Sequence, residues 1–186
     1  GDSIVLDPYD IYQMNKHLGV KFEELLNHKI SLHAEEGLIL PNLKMQGKED
    51  GCAFLNEEGR CTIHAFRPGF CRLFPLGRIY EDGSFSYYLQ SQECTKANRT
   101  KVKVNKWLGI PDLKQYENFV NEWHYFLKDT KALLLRLSDA RLNQELSMYL
   151  LNRFYTTAFD LESDFYKQFD ERMTQMKKLI YTLDRQ

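Results

Sequence analysis

An α+β fold is expected for this chain. A small cysteine-bearing lobe with short antiparallel strands should occupy residues 1–110, and a helical part residues 111–186. Three observations predict this. Turn-forming residues interrupt the first part at short intervals and leave room only for short strands. All four cysteines, Cys52, Cys61, Cys71 and Cys94, lie in it. Beyond Trp107 apolar residues recur at helical spacing, with no further cysteine.

The elements follow in order. "LDPYDIYQMNKHLGV" opens a helix with Asp7 as N-cap and Pro8 at the first helical position; Ile11, Met14 and Leu18 share a face, and Gly19 stops it. "KFEELLNHKI" reads as a second, short helix. "GLILPNLKM" is strand-like, and Pro41 marks an edge because proline has no N–H to donate. "CAFLNEEGRCTIHAF" reads as two short strands around a Glu-Glu-Gly turn. "GRIYEDGSFSYYL" is the stronger hairpin, with Asp82-Gly83 between aromatic-rich runs. A helix carries Leu113, Tyr116, Val120, Trp123 and Leu127 on one stripe. A second is expected from Ser138 to about Phe159. A third starts at Asp160 and carries Leu161, Phe165, Phe169, Met173, Met176 and Ile180.

Composition excludes several classes. The chain has 186 residues, 43% hydrophobic and 27% charged, as ordinary globular proteins do. Its net charge of −1 provides no general attraction for nucleic acid. The basic run "TKANRTKVKVNKW", with Lys96, Arg99, Lys101, Lys103 and Lys106, is read as a solvated connector. No apolar run is long enough for a membrane span. A protein partner is left open and none is specified. The chain opens on Gly rather than Met, as a trimmed chain would, and shows no secretory leader. The cysteines, separated by 8, 9 and 22 residues, match no small disulfide framework. A reducing cytoplasm with free or metal-bound thiols is therefore expected.

Cys52, Cys61 and Cys71 each sit beside a turn: Glu49-Asp50-Gly51, Glu58-Gly59-Arg60 and Arg67-Pro68-Gly69-Phe70. Turns let thiolates converge and aim backbone N–H groups at sulfur. Arg60, Arg67 and Arg72 lie next to them, and guanidinium charge favours thiolate, the ligating form. Spacing alone leaves three readings open: a metal or cluster site, cysteines packed as small hydrophobes, or a catalytic thiol. No C-x2-C pair of the zinc-ribbon kind is present. His64, three residues after Cys61, is close enough to join a ligand set, but is read as a packing residue at a strand end. His17, His28, His33 and His124 form no constellation. Arg67 and Arg72 either pin a ligand loop through backbone carbonyls or form an anion pocket.

"CAFLNEEGRCTIHAFRPGFCRLFP" resembles the pattern C-x-F-L…G-x-C-x-I-[YH]-x-x-R-P-x-x-C-R-x-F-P of the YkgJ-type cysteine-cluster family, whose domain is described as zinc- or iron-chelating. A related domain occurs in flagellin lysine-N-methylases. The match runs through Cys52, Phe54, Leu55, Cys61, Ile63, Arg67, Pro68, Cys71, Arg72, Phe74 and Pro75. Cys94 falls where the family has a later cysteine, and the resemblance spans roughly residues 1–105.

The resemblance implies that Cys52, Cys61, Cys71 and Cys94 ligate zinc or an iron–sulfur cluster, with Arg67, Arg72 and His64 around them. The family pattern also has a C-x(2–3)-C-x2-C-C run ahead of the first helix. This sequence opens at Gly1, where that run should just have ended, so part of the ligand set is expected to lie outside it. The first functional expectation is a metal- or cluster-binding accessory in redox or protein-modification chemistry. The alternatives are a cluster-dependent enzyme, such as a protein lysine N-methylase, and a metal-stabilised scaffold without catalysis. The visible sequence contains no phosphate loop, Ser/His/Asp arrangement or paired-carboxylate motif that assigns a reaction.

Overall fold

A computed structural model of the chain describes residues 4–47, 50–93, 100–137 and 139–185. The fold is α+β. Short antiparallel strand pairs sit among the helices of the first part, and long helices make up the second.

Helix α1 spans Pro8–Leu18. Asp7 and Asp10 cap it reciprocally: Asp10 N–H donates to Asp7 Oδ1 at 2.9 Å and Asp7 N–H to Asp10 Oδ2 at 3.1 Å. Gly19 ends the helix at φ 68°, in the left-handed region where glycine carries no Cβ penalty. Helix α2 is Phe22–His28.

Strands β1 (Ile30–Glu35) and β2 (Leu38–Leu43) form a hairpin. The sequence reading anticipated β2 but not its partner. Its two-residue turn is Glu36-Gly37, at φ 49° and 86°, where an Asn-Gly or Asp-Gly pair would have signalled it. On its other side β2 pairs briefly with the chain start. Val5 bridges to Asn42, and Leu6 N–H donates to the Pro41 carbonyl at 2.8 Å. In an antiparallel pair of this kind residue 41 would donate in return to the Leu6 carbonyl, and proline cannot. The Tyr155 hydroxyl donates there instead, at 2.9 Å and fully buried.

Strands β3 (Met45–Gln46) and β4 (Gly51–Cys52) pair over two residues each. The expected strand pair around Glu57-Glu58-Gly59 does not extend further. A single bridge, Leu55 to Cys61, closes a turn in which Asn56 Oδ1 accepts the N–H groups of Glu58 and Arg60. The Asn side chain supplies the bonds that a longer ladder would have made. A 3-10 turn follows at His64–Phe66, then the short α3 at Gly69–Leu73. Strands β5 (Leu76–Glu81) and β6 (Ser84–Leu89) form the expected hairpin over Asp82-Gly83.

After the connector, a short α4 (Val104–Leu108) precedes α5 (Leu113–Arg136), which Asp112 caps. Helix α6 (Ala140–Leu151) runs into a π-helical turn at Asn152–Thr156. It therefore stops short of the expected end near Phe159. Helix α7 is Phe165–Leu183, capped by Asp164 rather than starting at Asp160. Asp160 instead closes a turn with Glu162 and Ser163.

One buried cluster holds these elements together. Leu6, Ile11, Met14, Phe22 and Leu43 pack in it with Tyr116, Trp123, Phe154, Phe169 and Met176. Aromatic rings supply much of its area; Trp123 meets Phe154 edge-on with centroids 4.9 Å apart. The β1–β2 hairpin is also tied to α6, because Ser147 Oγ accepts the Ile39 N–H at 2.8 Å.

Candidate metal centre

Local backbone bonds position the cysteines. Cys52 sits on β4 opposite Met45. Its carbonyl accepts the Leu55 N–H at 2.9 Å, which folds the chain back on itself. Cys61 is held by the bridge to Leu55 and by the neighbouring bond from Thr62 N–H to the Phe54 carbonyl, 2.9 Å. Phe54 and Ile63 are buried and anchor this turn to the core. Cys71 lies in α3, which starts where Pro68 sets the backbone and Gly69 allows close packing. A Cβ at Gly69 would fall onto the Tyr116 hydroxyl. Cys94 lies outside the described residues, as do Lys96 and Arg99.

The three described thiols are free and half-buried. Those of Cys52 and Cys61 lie near enough to Cys71 to act on its ionisation. Burial first, then the charges of Asp10, Cys52 and Cys61, push the Cys71 thiol up to about 12. Arg67 opposes them weakly. The sequence argument that nearby arginines would make these sulfurs thiolates is therefore corrected at Cys71: desolvation outweighs guanidinium charge. A thiol whose ionisation is opposed in this way suits a divalent cation, whose charge removes the repulsion. In sulfur chemistry the donors fit zinc or iron. Among the described residues, however, no three His, Cys, Asp or Glu side chains form a group that could hold a metal ion.

Arg72 holds the turn that carries Cys71. Its Nε donates to the Arg67 carbonyl at 3.1 Å, and one Nη to the Leu108 carbonyl at 3.4 Å. The other Nη bonds the Ala65 carbonyl. Burial, and next the charge of Arg67, lower its pKa from the ordinary arginine value. One guanidinium thus ties the 3-10 turn, α3 and α4 together. Arg67 is bonded through Nη1 to the His64 ring. His64 is exposed on the 3-10 turn, not at a strand end.

Of the other histidines, His17 stacks on Phe66 of the same 3-10 turn. His124 stacks on Tyr80 and His33 bonds Ser31.

Sequence reasoning missed the residue beneath α3. Asp10 is 4% exposed, and its Oδ1 accepts the Gly69 N–H at 2.8 Å. It therefore fastens α3 to α1. Burial pushes its carboxyl up to about 6, against the two backbone N–H groups that favour its charge. An acid three residues after the N-cap at Asp7 was the available signal, but it announces only the capping box. The second bond, made across the fold to Gly69, leaves no local pattern.

Comparison with curated proteins and with solved structures finds no match. The sequence profile of one family matches residues 2–106, more than half of the chain, and covers every element from α1 to the connector. With the half-buried Cys52, Cys61 and Cys71 inside the matched segment, the chain belongs to the CxxCxxCC family, titled "putative zinc- or iron-chelating domain".

Proposed function

We propose that this chain is a metal-binding protein in which Cys52, Cys61, Cys71 and Cys94 supply thiolate ligands to zinc or to an iron–sulfur centre. One observation carries the reading: the matched family segment, residues 2–106, contains all four cysteines. Arg72 supports it by pinning the Cys71 turn through three backbone carbonyls, and Arg67 and His64 flank that turn. Cys94 enters through the family pattern alone.

A zinc site closed by four thiolates would be structural and without redox chemistry. An iron–sulfur centre would make the protein an accessory in electron transfer or in protein modification. Either needs reduced thiols and hence a reducing compartment, for which the cytoplasm is our reading. Among the described residues no helix is long and apolar enough to cross a membrane.

The test is metal analysis with visible absorption on anaerobically prepared protein, parent and Cys71→Ser side by side. The parent should retain zinc, or iron with a visible chromophore. Cys71→Ser should lose most of it while keeping its helical circular dichroism. Because the Cys71 thiol must shed its proton to bind, metal uptake by the parent should strengthen as pH rises. Equal metal content in parent and variant would overturn the ligand assignment.

A further inference from the structure

A cavity of about 280 Å³ opens in the cysteine lobe, between α1, the 3-10 turn with α3, and the link at residues 109–111. Its walls include Tyr9, Gln13, His17 and Phe66, with Arg67 and Arg72. The His17 ring lies on Phe66, centroids 4.7 Å apart and nearly parallel, which makes one wall flat. No thiol lines the cavity, so it is separate from the proposed metal ligands.

The charge balance of this cavity is positive. Two guanidiniums line it against one carboxylate, that of Asp10. Both Asp10 oxygens already accept backbone N–H groups, from Asp7 and from Gly69. Among the described residues neither Arg67 nor Arg72 has an ion-pair partner; every ion pair lies elsewhere. The two guanidiniums are also close enough for the charge of Arg67 to depress the pKa of Arg72. Three carbonyl bonds fix the plane of Arg72 and leave part of its five-donor set free. Two adjacent guanidiniums without an ion-pair partner among the described residues, one held rigid, form a ready-made recognition element for a planar oxyanion. Apart from Gln13 the rest of the wall is largely aromatic and apolar, which favours an anion with an organic body over a bare inorganic one.

We propose that this cavity binds a small organic carboxylate. The carboxylate group sits between Arg67 and Arg72, and the body lies against Tyr9 and the His17–Phe66 pair.

The test titrates benzoate and, separately, inorganic phosphate into the protein, followed by calorimetry and by amide chemical shifts. Two variants from different elements accompany the parent: Arg67→Gln, which removes a guanidinium, and Gln13→Glu, which places a carboxylate in the wall. Circular dichroism checks the fold of both. Saturable benzoate binding, weaker or absent phosphate binding, and at least about a tenfold loss of benzoate affinity in each folded variant would support the site; Arg67→Gln removes one charge-assisted hydrogen bond, and Gln13→Glu sets a like charge against the ligand. Should Arg67→Gln not fold, Gln13→Glu decides alone. Absence of saturable benzoate binding, tighter binding of phosphate than of benzoate, or unchanged benzoate affinity in a folded variant would overturn it.

Discussion

Asp10 shows how one side chain links two segments that the sequence keeps apart, α1 and α3. It closes the N-terminus of α1 with one oxygen and holds the N–H of Gly69 with the other. Its carboxyl is pushed up to about 6 from an ordinary 3.8, by burial above all. Asp7 is also raised, by burial and then by the charge of Asp10. The folded form of Asp10 therefore holds its proton at pH values where the unfolded chain has released it. Stability from this group is highest below the unfolded pKa and falls as pH rises toward about 6. Asn at this position cannot titrate, and it also relieves Asp7 of a neighbouring charge. The stability of the parent relative to Asp10→Asn should fall between the two pKa values, by on the order of 3 kcal/mol, and level off above them. Urea unfolding of both proteins across that pH range measures the difference, and a flat one would mean that Asp10 titrates as an ordinary carboxylate.

At the scale of elements, hydrophobic period and caps were the legible part. Helices α1 and α5 and the hairpin over Asp82-Gly83 follow from residues within a few positions of one another. What stayed hidden depended on partners far along the chain or on side chains replacing ladder bonds. Strand β1 carries no strong β pattern of its own and is fixed by β2. The Cys52–Cys61 turn replaces a ladder with bonds to Asn56. The thiol segment was legible as a pattern, but the burial that raises the Cys71 pKa was not, because it comes from neighbours in space. Pro41 illustrates the same division. Its edge character was readable, whereas the donor that serves the Leu6 carbonyl comes from Tyr155, at the far end of α6. Tyr155 is 1% exposed, so no water can take over the bond. Tyr155→Phe should leave that carbonyl unpaired and cost about 1–3 kcal/mol. Chemical denaturation of the variant measures this, and a loss near zero would mean that the carbonyl has found another donor.

At the scale of the whole molecule, the division near residue 110 separates sequence patterns, while the buried cluster runs across it. Leu6, Ile11 and Met14 share that cluster with Trp123, Phe154 and Phe169, and the Tyr155 and Ser147 bonds join the same two segments. Residues that share one dry core open together, because exposing one side leaves a cavity against the other. Helices α1, α5, α6 and α7 and the β1–β2 hairpin should therefore exchange their most protected amides with one common free energy. The segment around Cys52, Cys61 and Cys71 is built differently. It adds Phe54 and Ile63 to the core, but short turns and single bridges carry most of its backbone. If a bound metal ties its thiols together, this is where removal of the metal will be felt. Hydrogen exchange on metal-loaded protein, before and after a strong chelator, distinguishes the two behaviours. Protection should fall in residues 51–73 and stay nearly constant in α1, β2, α5 and α7. Loss of protection spread evenly over all of them would make the metal segment part of the global unit, with the proposed metal stabilising the entire fold rather than its own turns.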